Sequence, residues 1–335
     1  MNLETIVVGL LFLMAVSYLS WRAWQAVRPK ARSGCGKGCG CAAESDSVAK
    51  VLVGVLLIWA SHSVGQAQPK VVLVILDGIP ADVVERVSTP NLDEVAAAGG
   101  YTRSYTGGRK GHYTQSPTIS AVSYNHLITG VWTYKHNVWG NDISAPNYAY
   151  WSIFRLVKYQ KPELKTAIFS TWLDNRTKLV GEGLAETGFF KFDYAFDGFE
   201  LDTVRFPHDA AKRYIFAIDE HVSQEAARCL ANEAPDLSWV YLEYTDDIGH
   251  AHGDGPLMEE AVRSADIQLG RIWQAIKQRQ QTTQEQWMLV VTTDHGRMAS
   301  DGKGHGGQTE RERTTWIATN RADLNAHWKH RPAAI

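Results

Sequence analysis

Three apolar runs in this chain each lead into an aspartate, and that recurrence constrains the fold more than any other feature. Val71-Val72-Leu73-Val74-Ile75-Leu76 ends on Asp77-Gly78, and Trp287-Met288-Leu289-Val290-Val291 passes through Thr292-Thr293 to Asp294-His295-Gly296. Trp239 to Tyr244 runs on to Asp246-Asp247-Ile248-Gly249-His250. Short apolar stretches rich in β-branched residues read as strands buried on both faces, the pattern of a parallel sheet. In open sheets of that kind ligands sit outside the carboxyl ends of the strands, which is where all three aspartates fall.

From Pro69 onward the alternation of strand and helix signals predicts an α/β fold, a mostly parallel central sheet with helices on both faces. Strands are expected at Val71–Leu76, Thr166–Ser170, Trp239–Tyr244, Met288–Thr293 and Thr315–Ala318. Helices are expected at Thr89–Ala98, where Pro90 suits an early helical position and Gly99 a stop, at Pro207–Asn232 and at Met258–Arg279. In the last of these Val262, Ala265, Leu269, Ile272, Trp273 and Ile276 recur at helical spacing, a stripe for core packing. With a formal charge of -2 over 335 residues, no basic stripe argues for nucleic acid, and no feature specifies an oligomeric state. Cys229 reads as a small buried hydrophobe.

Residues 1–68 read as separate from this domain, 69–335. In residues 1–47, Ile6 to Leu19 is almost wholly apolar, Trp21 and Trp24 follow, and then come Arg22, Arg28, Lys30, Arg32 and Lys37. That pattern predicts a transmembrane helix with a cytoplasmic basic flank. Cys35, Cys39 and Cys41 lie among glycines, either as thiolates for a soft metal or as exposed thiols on a flexible tail. In residues 48–68, Lys50 precedes the apolar core Val51 to Ala60 and a small-residue stretch ends at Ala67, the pattern of a secretory signal peptide. The domain is therefore expected on the periplasmic or extracellular side, membrane-anchored where these segments are retained.

Asp77, Asp246 and Asp294, with His250, His295 and the His305 of Gly304-His305-Gly306-Gly307, supply mixed carboxylate and imidazole donors. That set suits zinc better than magnesium, which prefers oxygen and water. Singly, each has a blander reading, since a strand-end Asp usually caps a helix or forms a turn; the six together favour a metal site. A nucleophilic hydroxyl belongs where a strand turns into a helix. Ser116-Pro117-Thr118-Ile119-Ser120-Ala121-Val122-Ser123, ahead of Leu127-Ile128-Thr129-Gly130, is the candidate stretch, although Ser and Thr are also common helix caps. A metal ligand role would make such a hydroxyl easier to deprotonate.

Asp77-Gly78, Ser120 with Thr129-Gly130 nine and ten residues on, Asp246-x-x-x-His250, Asp294-His295-Gly296 and Gly304-His305-Gly306 resemble the alkaline phosphatase superfamily. His136-Asn137-Val138-Trp139-Gly140-Asn141 is similar to the stretch that follows the nucleophile in its nucleotide pyrophosphatase/phosphodiesterase branch, and Asn141 lies twenty-one residues after Ser120, as that branch's phosphate-contacting asparagine does. The resemblance runs from Pro69 to about Asn320. It implies two zinc ions, or another divalent metal, one held by Asp77, Ser120, Asp294 and His295 and the other by Asp246, His250 and His305. It also implies in-line attack by Ser120 on phosphorus, a phosphoryl- or nucleotidyl-serine intermediate, Asn141 as a donor to developing charge, and a small-molecule phosphoester substrate such as a nucleotide. Separately, Met1 to Ala43 resembles the small cysteine-rich membrane proteins associated with bacterial ferrous-iron transporters.

Ser120-Ala121-Val122 departs from the Thr-Phe-Pro of that branch towards the monoesterase pattern, and His305 follows Asp294-His295 sooner than in the branch. Hydrolysis of phosphodiester or pyrophosphate bonds is preferred, with phosphomonoester hydrolysis as the alternative. A monoesterase needs a cation for the extra phosphate charge, for which Arg103, Arg109, Lys110, Arg155 and Arg176 are available. Thr118 and Ser123 as nucleophiles break both the Thr-Gly and the Asn141 spacings. His252 and Asp247 are expected beside the metals or in solvent, and Asp266 as a helix residue steadying the site from outside. Members of the family continue past the position of Asn320 into a further strand or helix, so the resemblance implies a truncated C-terminus, which would leave a sheet edge or an apolar face uncovered.

A sulfatase would require a Cys/Ser-x-Pro-x-Arg signature, which Ser116-Pro117 does not supply. A phosphosugar mutase would normally carry a cap domain, for which the stretch between Asn141 and Asp246 is modest. From a different class, the chain reads as a membrane-anchored metal-binding protein centred on Cys35, Cys39 and Cys41 with an inactive hydrolase domain. The intact ligand set argues against that reading.

Overall fold

The computed structural model describes residues 69–324. The expected transmembrane, signal and cysteine-rich segments lie outside the described residues, as does the tail from 325 onward. Among the described residues no helix is long and apolar enough to cross a membrane.

Among the described residues seven strands, β1 (Lys70–Leu76), β2 (Gly100–Tyr105), β3 (Thr166–Ser170), β4 (Tyr194–Phe196), β5 (Leu237–Leu242), β6 (Trp287–Thr292) and β7 (Thr314–Thr319), form one sheet in the order β2-β7-β6-β1-β5-β3-β4. β6, β1, β5, β3 and β4 run parallel, while β7 is antiparallel to β6 and to β2. Around the sheet lie α1 (Pro90–Ala98), α2 (Ser120–Thr129), α3 (Ile153–Gln160), α4 (Arg213–Asn232), α5 (Tyr244–His252) and α6 (Pro256–Thr282). Successive strand residues point to opposite faces, so β1 feeds two cores. Val72, Val74 and Leu76 pack with Leu92 of α1, Ile218 and Val222 of α4, and Leu269 and Ile272 of α6. Leu73 and Ile75 pack with Val122 and Ile128 of α2 and Phe154 of α3. Helices thus cover both faces, as the unbroken apolar strands require. Each such side chain taken from water contributes about 1.5–3 kcal/mol.

The five expected strands and three expected helices are present, Thr166–Ser170 with the expected bounds and the others with shifted ends. The helix expected from Pro207 begins only at Arg213, after a turn in which Lys212 adopts a left-handed φ of 58°. β2 was not anticipated; its sequence Gly-Tyr-Thr-Arg-Ser-Tyr has no apolar run because it forms an edge. β7 is paired on both sides, by β6 and β2, so the sheet edge lies at β2 rather than at the strand preceding Asn320.

α5 was expected as the exit of a strand. Its first N–H groups are met by a residue from another helix: the buried carboxylate of Asp219 accepts from Glu243 N at 3.1 Å and Tyr244 N at 2.9 Å. Asp266 does the same for α1, accepting from Asn91 N at 3.2 Å and Leu92 N at 2.8 Å. It therefore secures α1 and does not touch the candidate site.

α2 also carries the half-buried His126, whose Nε2 pairs with Thr133 Oγ1 at 3.0 Å while its sealed Nδ1 has no partner. Burial, aided by the neighbouring His136 ring, pushes His126 from 6.5 down to about 3. A histidine held neutral in the fold adds stability that is complete above its unfolded value and is lost as pH falls towards its folded value. The stability difference between the wild type and His126→Gln should therefore shrink as pH is lowered from about 6.5 towards about 3. Denaturant midpoints measured across that window check it, and parallel curves would show that the imidazole is not held neutral.

Candidate active site and metal centre

Parallel registers set Leu76 opposite Leu242 and Ile75 opposite Thr292. The carboxyl ends of β1, β5 and β6 therefore lie side by side. Asp77 leaves β1, Asp294 and His295 leave β6, and α5 presents Asp246 and His250 one turn apart on a single face. The turn after Asp77 must be tight: Gly78 has φ +63°, and a Cβ there would sit 2.4 Å from Asp246 Oδ1.

At the floor, Asp77, Asp294 and His295 are sealed from solvent. Asp77 Oδ2 accepts from the Tyr241 hydroxyl at 2.6 Å and from the Tyr124 hydroxyl, which leaves Oδ1 unpartnered. Asp294 Oδ1 accepts from Gly78 N at 3.0 Å, which leaves Oδ2 unpartnered. His295 Nδ1 donates to the Gly296 carbonyl at 3.0 Å, so its Nε2 is the lone-pair nitrogen. That nitrogen lies 3.1 Å from Asp294 Oδ2, 3.3 Å from Ser120 Oγ and 3.6 Å from Asp77 Oδ1. Asp294 Oδ2 and His295 Nε2 are close without making a hydrogen bond of acceptable geometry.

Nearer the mouth, His305 Nδ1 donates to the Thr118 carbonyl at 2.9 Å, again leaving Nε2 as the free donor atom. It faces His250 Nε2 at 3.0 Å, and His250 Nε2 lies 3.2 Å from Asp246 Oδ2. The His295 and His305 rings stack at 3.7 Å, which brings the two groups together. Ligand atoms of Asp246, His250 and His305 lie within 4.8 Å of one another, and so do those of Asp77, Asp246 and His295. Asp246 thus borders both groups, which the sequence did not indicate.

Burial and the nearby Asp294 and Asp246 charges raise the Asp77 carboxyl well above its usual range. Burial pushes Asp294 up to about 7. Asp246 behaves oppositely: burial works against its charge, but Arg297 and then His250 outweigh it and hold the carboxyl below the usual range. Burial and His305 hold His295 neutral. Orphaned, solvent-excluded oxygens cost roughly 1–3 kcal/mol each, and histidines whose other nitrogen donates to a carbonyl are typical metal ligands. Unpartnered Asp77 Oδ1 and Asp294 Oδ2, converging with imidazole lone pairs, are the donor set of divalent cations.

Ser120 begins α2, and its hydroxyl is directed at His295 as described. Thr118 is occupied elsewhere, donating to the Gly307 carbonyl at 3.0 Å and accepting from Gly306 N at 2.9 Å. Ser123 Oγ pairs with Thr106 Oγ1 at 2.9 Å. Asn141, an exposed residue, accepts from Ala121 N through Oδ1 at 3.0 Å, which ties its amide to the residue next to Ser120. His252 is exposed, and Asp247 pairs with Lys212 at 3.2 Å. Tyr124, Tyr241 and Arg297 complete the site and were not anticipated. The position of Tyr124, one helical turn after Ser120, was a usable signal.

The α/β sheet thus carries a cluster of candidate metal ligands at its carboxyl edge. The profile of the type I phosphodiesterase / nucleotide pyrophosphatase family matches residues 71–331, and the chain belongs to that family. Human ectonucleotide pyrophosphatase/phosphodiesterase family member 7 is 25% identical over 244 residues, 70% of this chain and 49% of that protein. The chain thus spans about half the length of this relative. Among solved structures, the phosphonate monoester hydrolase of Agrobacterium radiobacter superposes with a TM-score of 0.51 at 16% identity, covering 76% of this chain and 68% of that one. Phosphonoacetate hydrolase from Sinorhizobium meliloti 1021 gives 0.46 at 18% identity, covering 69% and 57%.

Adding zinc to chelated protein should raise its melting temperature; a ligand at about 100 times its Kd stabilises by about 2.7 kcal/mol. Asp294→Asn can still accept from Gly78 N but should lose most of that shift. A shift in the variant equal to that of the wild type would exclude Asp294 from cation binding.

Proposed function

We propose that this chain is a metal-dependent phosphoesterase that hydrolyses phosphodiester or pyrophosphate bonds through a phosphoryl- or nucleotidyl-serine at Ser120. The observation that carries the reading is the convergence of unpartnered Asp77 Oδ1, unpartnered Asp294 Oδ2 and the imidazole lone pairs beside the Ser120 hydroxyl. Family membership supports it. Asp77, Ser120, Asp294 and His295 would hold one divalent cation, and Asp246, His250 and His305 a second, with zinc favoured by the mixed nitrogen and oxygen donors. When bound, such a pair supplies Lewis-acid polarisation of the phosphoryl group and a lowered pKa for a coordinated hydroxyl.

The remaining roles fall to the chain itself. Ser120 gives up its hydroxyl proton to solvent and its Oγ forms the bond to phosphorus while the phosphorus–ester oxygen bond breaks on the opposite side, the leaving oxygen taking a proton from solvent; water later breaks the phosphorus–Oγ bond, restoring the serine hydroxyl and releasing the phosphate product. Asn141, with Oδ1 fixed by Ala121 N, offers its amide N–H to a non-bridging oxygen as charge builds. Tyr124 and Tyr241 hold Asp77 with one oxygen turned to the site.

The disposition of cationic side chains favours a singly charged diester over a doubly charged monoester. Arg103 is paired with Glu85, Arg176 with Asp197 and Glu182, and Arg155 with the Tyr148 carbonyl and the Trp151 ring. Arg109 and Lys110 are exposed. A nucleotide is the substrate class this reading favours. Export to the periplasmic or extracellular side, with membrane anchoring through residues 1–47, belongs to the proposal and rests on sequence alone.

Zinc-loaded protein should hydrolyse bis-p-nitrophenyl phosphate in preference to p-nitrophenyl phosphate and lose that activity on chelation. Ser120→Ala should lower turnover by about 1000-fold or more, as loss of a nucleophile does. A folded, zinc-loaded sample inactive on both esters would end the phosphoesterase reading. Full turnover by Ser120→Ala would end only the assignment of the nucleophile.

A further inference from the structure

Arg297 is fully buried, among the largest side chains with no solvent exposure. A guanidinium has five N–H donors in a fixed fork, and this one makes five hydrogen bonds. Nε donates to the Gly78 carbonyl at 3.0 Å, and Nη1 to the Lys303 and Gly302 carbonyls at 3.1 and 3.4 Å. Nη2 donates to the Asp246 carbonyl at 2.7 Å and to Asp246 Oδ1.

The acceptors belong to three different segments, and each carries a residue of the metal centre. Gly78 adjoins Asp77, Asp246 is itself in the centre, and Lys303 precedes His305 by two positions. Arg297 follows His295 by two. Room for it exists only because Gly249 lacks a side chain: a Cβ there would lie 2.2 Å from the Arg297 Cζ. A buried guanidinium is costly unless all its donors are met, so the side chain holds these segments in one fixed relation. It also occupies Asp246 Oδ1, leaving Oδ2 as the oxygen turned towards His250 at 3.2 Å.

We propose that Arg297 is a positioning residue for the cation held by Asp246, His250 and His305, locking the three ligand-bearing segments together and fixing the orientation of the Asp246 carboxylate, whose Oδ2 lies towards His250 and whose Oδ1 lies 3.8 Å from His305 Nε2. The inference rests on the metal-dependent reading above. With all five donors engaged by protein acceptors, Arg297 acts through Asp246 and the backbone.

The test uses the full chain as wild type, Arg297→Met, Arg297→Lys and Gly249→Ala, with folding followed by circular dichroism and zinc content by equilibrium dialysis and atomic emission. With the thiols of Cys35, Cys39 and Cys41 alkylated so that they take up no metal, wild type should bind two zinc equivalents. Folded Arg297→Met should keep one and bind the other about 10- to 100-fold more weakly, the usual effect of losing a partner behind a metal ligand. Arg297→Lys, with three donors in place of five, should fall between the two. For the diester, kcat should drop with KM little changed and should recover as zinc is raised. Gly249→Ala keeps the charge but displaces the guanidinium, so it should also weaken one zinc; it carries the test if Arg297→Met does not fold. Two tightly held zinc ions in folded Arg297→Met or, where that variant fails to fold, in Gly249→Ala would overturn the inference and leave the metal-dependent reading intact. A wild type that binds no divalent metal would overturn both.

Discussion

Parallel pairing of β1 with β5 and with β6 brings Asp77, Asp294 and the start of α5 to one edge of the sheet, and the site depends on that register. Carboxylates gathered there are buried and repel one another, which is why Asp77 and Asp294 are driven towards protonation. A flexible loop would relieve such crowding by moving apart. Here each aspartate follows a buried strand, and displacement would break ladder hydrogen bonds and open two packed cores. The fold therefore preserves an arrangement of charge that a bound cation satisfies.

Within that arrangement the three aspartates are not equivalent. Asp77 is steered by tyrosine hydroxyls from α2 and β5, Asp294 by the Gly78 amide, and Asp246 by a buried guanidinium. In each case one carboxylate oxygen is engaged and the other is directed to the cleft. The same economy governs the hydroxyls. Thr118 and Ser123 are committed to hydrogen bonds that knit α2 and the loop before it to their neighbours, whereas Ser120 is directed at the His295 imidazole. Burial grades across the cluster, from sealed His295 to the exposed face of His250, so the mouth lies on the α5 side.

Legibility in the sequence followed burial. Strands covered on both faces read as unbroken apolar runs and were located to within two residues. β2 and β4, at the two edges of the sheet, left no such signal, β2 because its residues are mixed and β4 because it is only three residues long. α5 was hidden for another reason: its N-terminal cap is Asp219, which lies 24 residues before Glu243 and on a different helix. Asp266 was visible as a helix residue, but its partners at Asn91 and Leu92 are 175 and 174 positions away, so its task in holding α1 could not be inferred.

The chain's own order of residues determined which donors are available: three aspartates at strand exits, three imidazoles, a serine at a helix start and an asparagine twenty-one positions later. Those are local facts of composition and spacing, and the hydrophobic pattern puts the aspartates just beyond buried strands. Only the tertiary structure decided which oxygen of each carboxylate is free and which hydroxyl faces the cluster. Those choices are made by hydrogen bonds from residues as far apart as Tyr241 and Asp77, 164 positions, and no local pattern encodes a partner at that range.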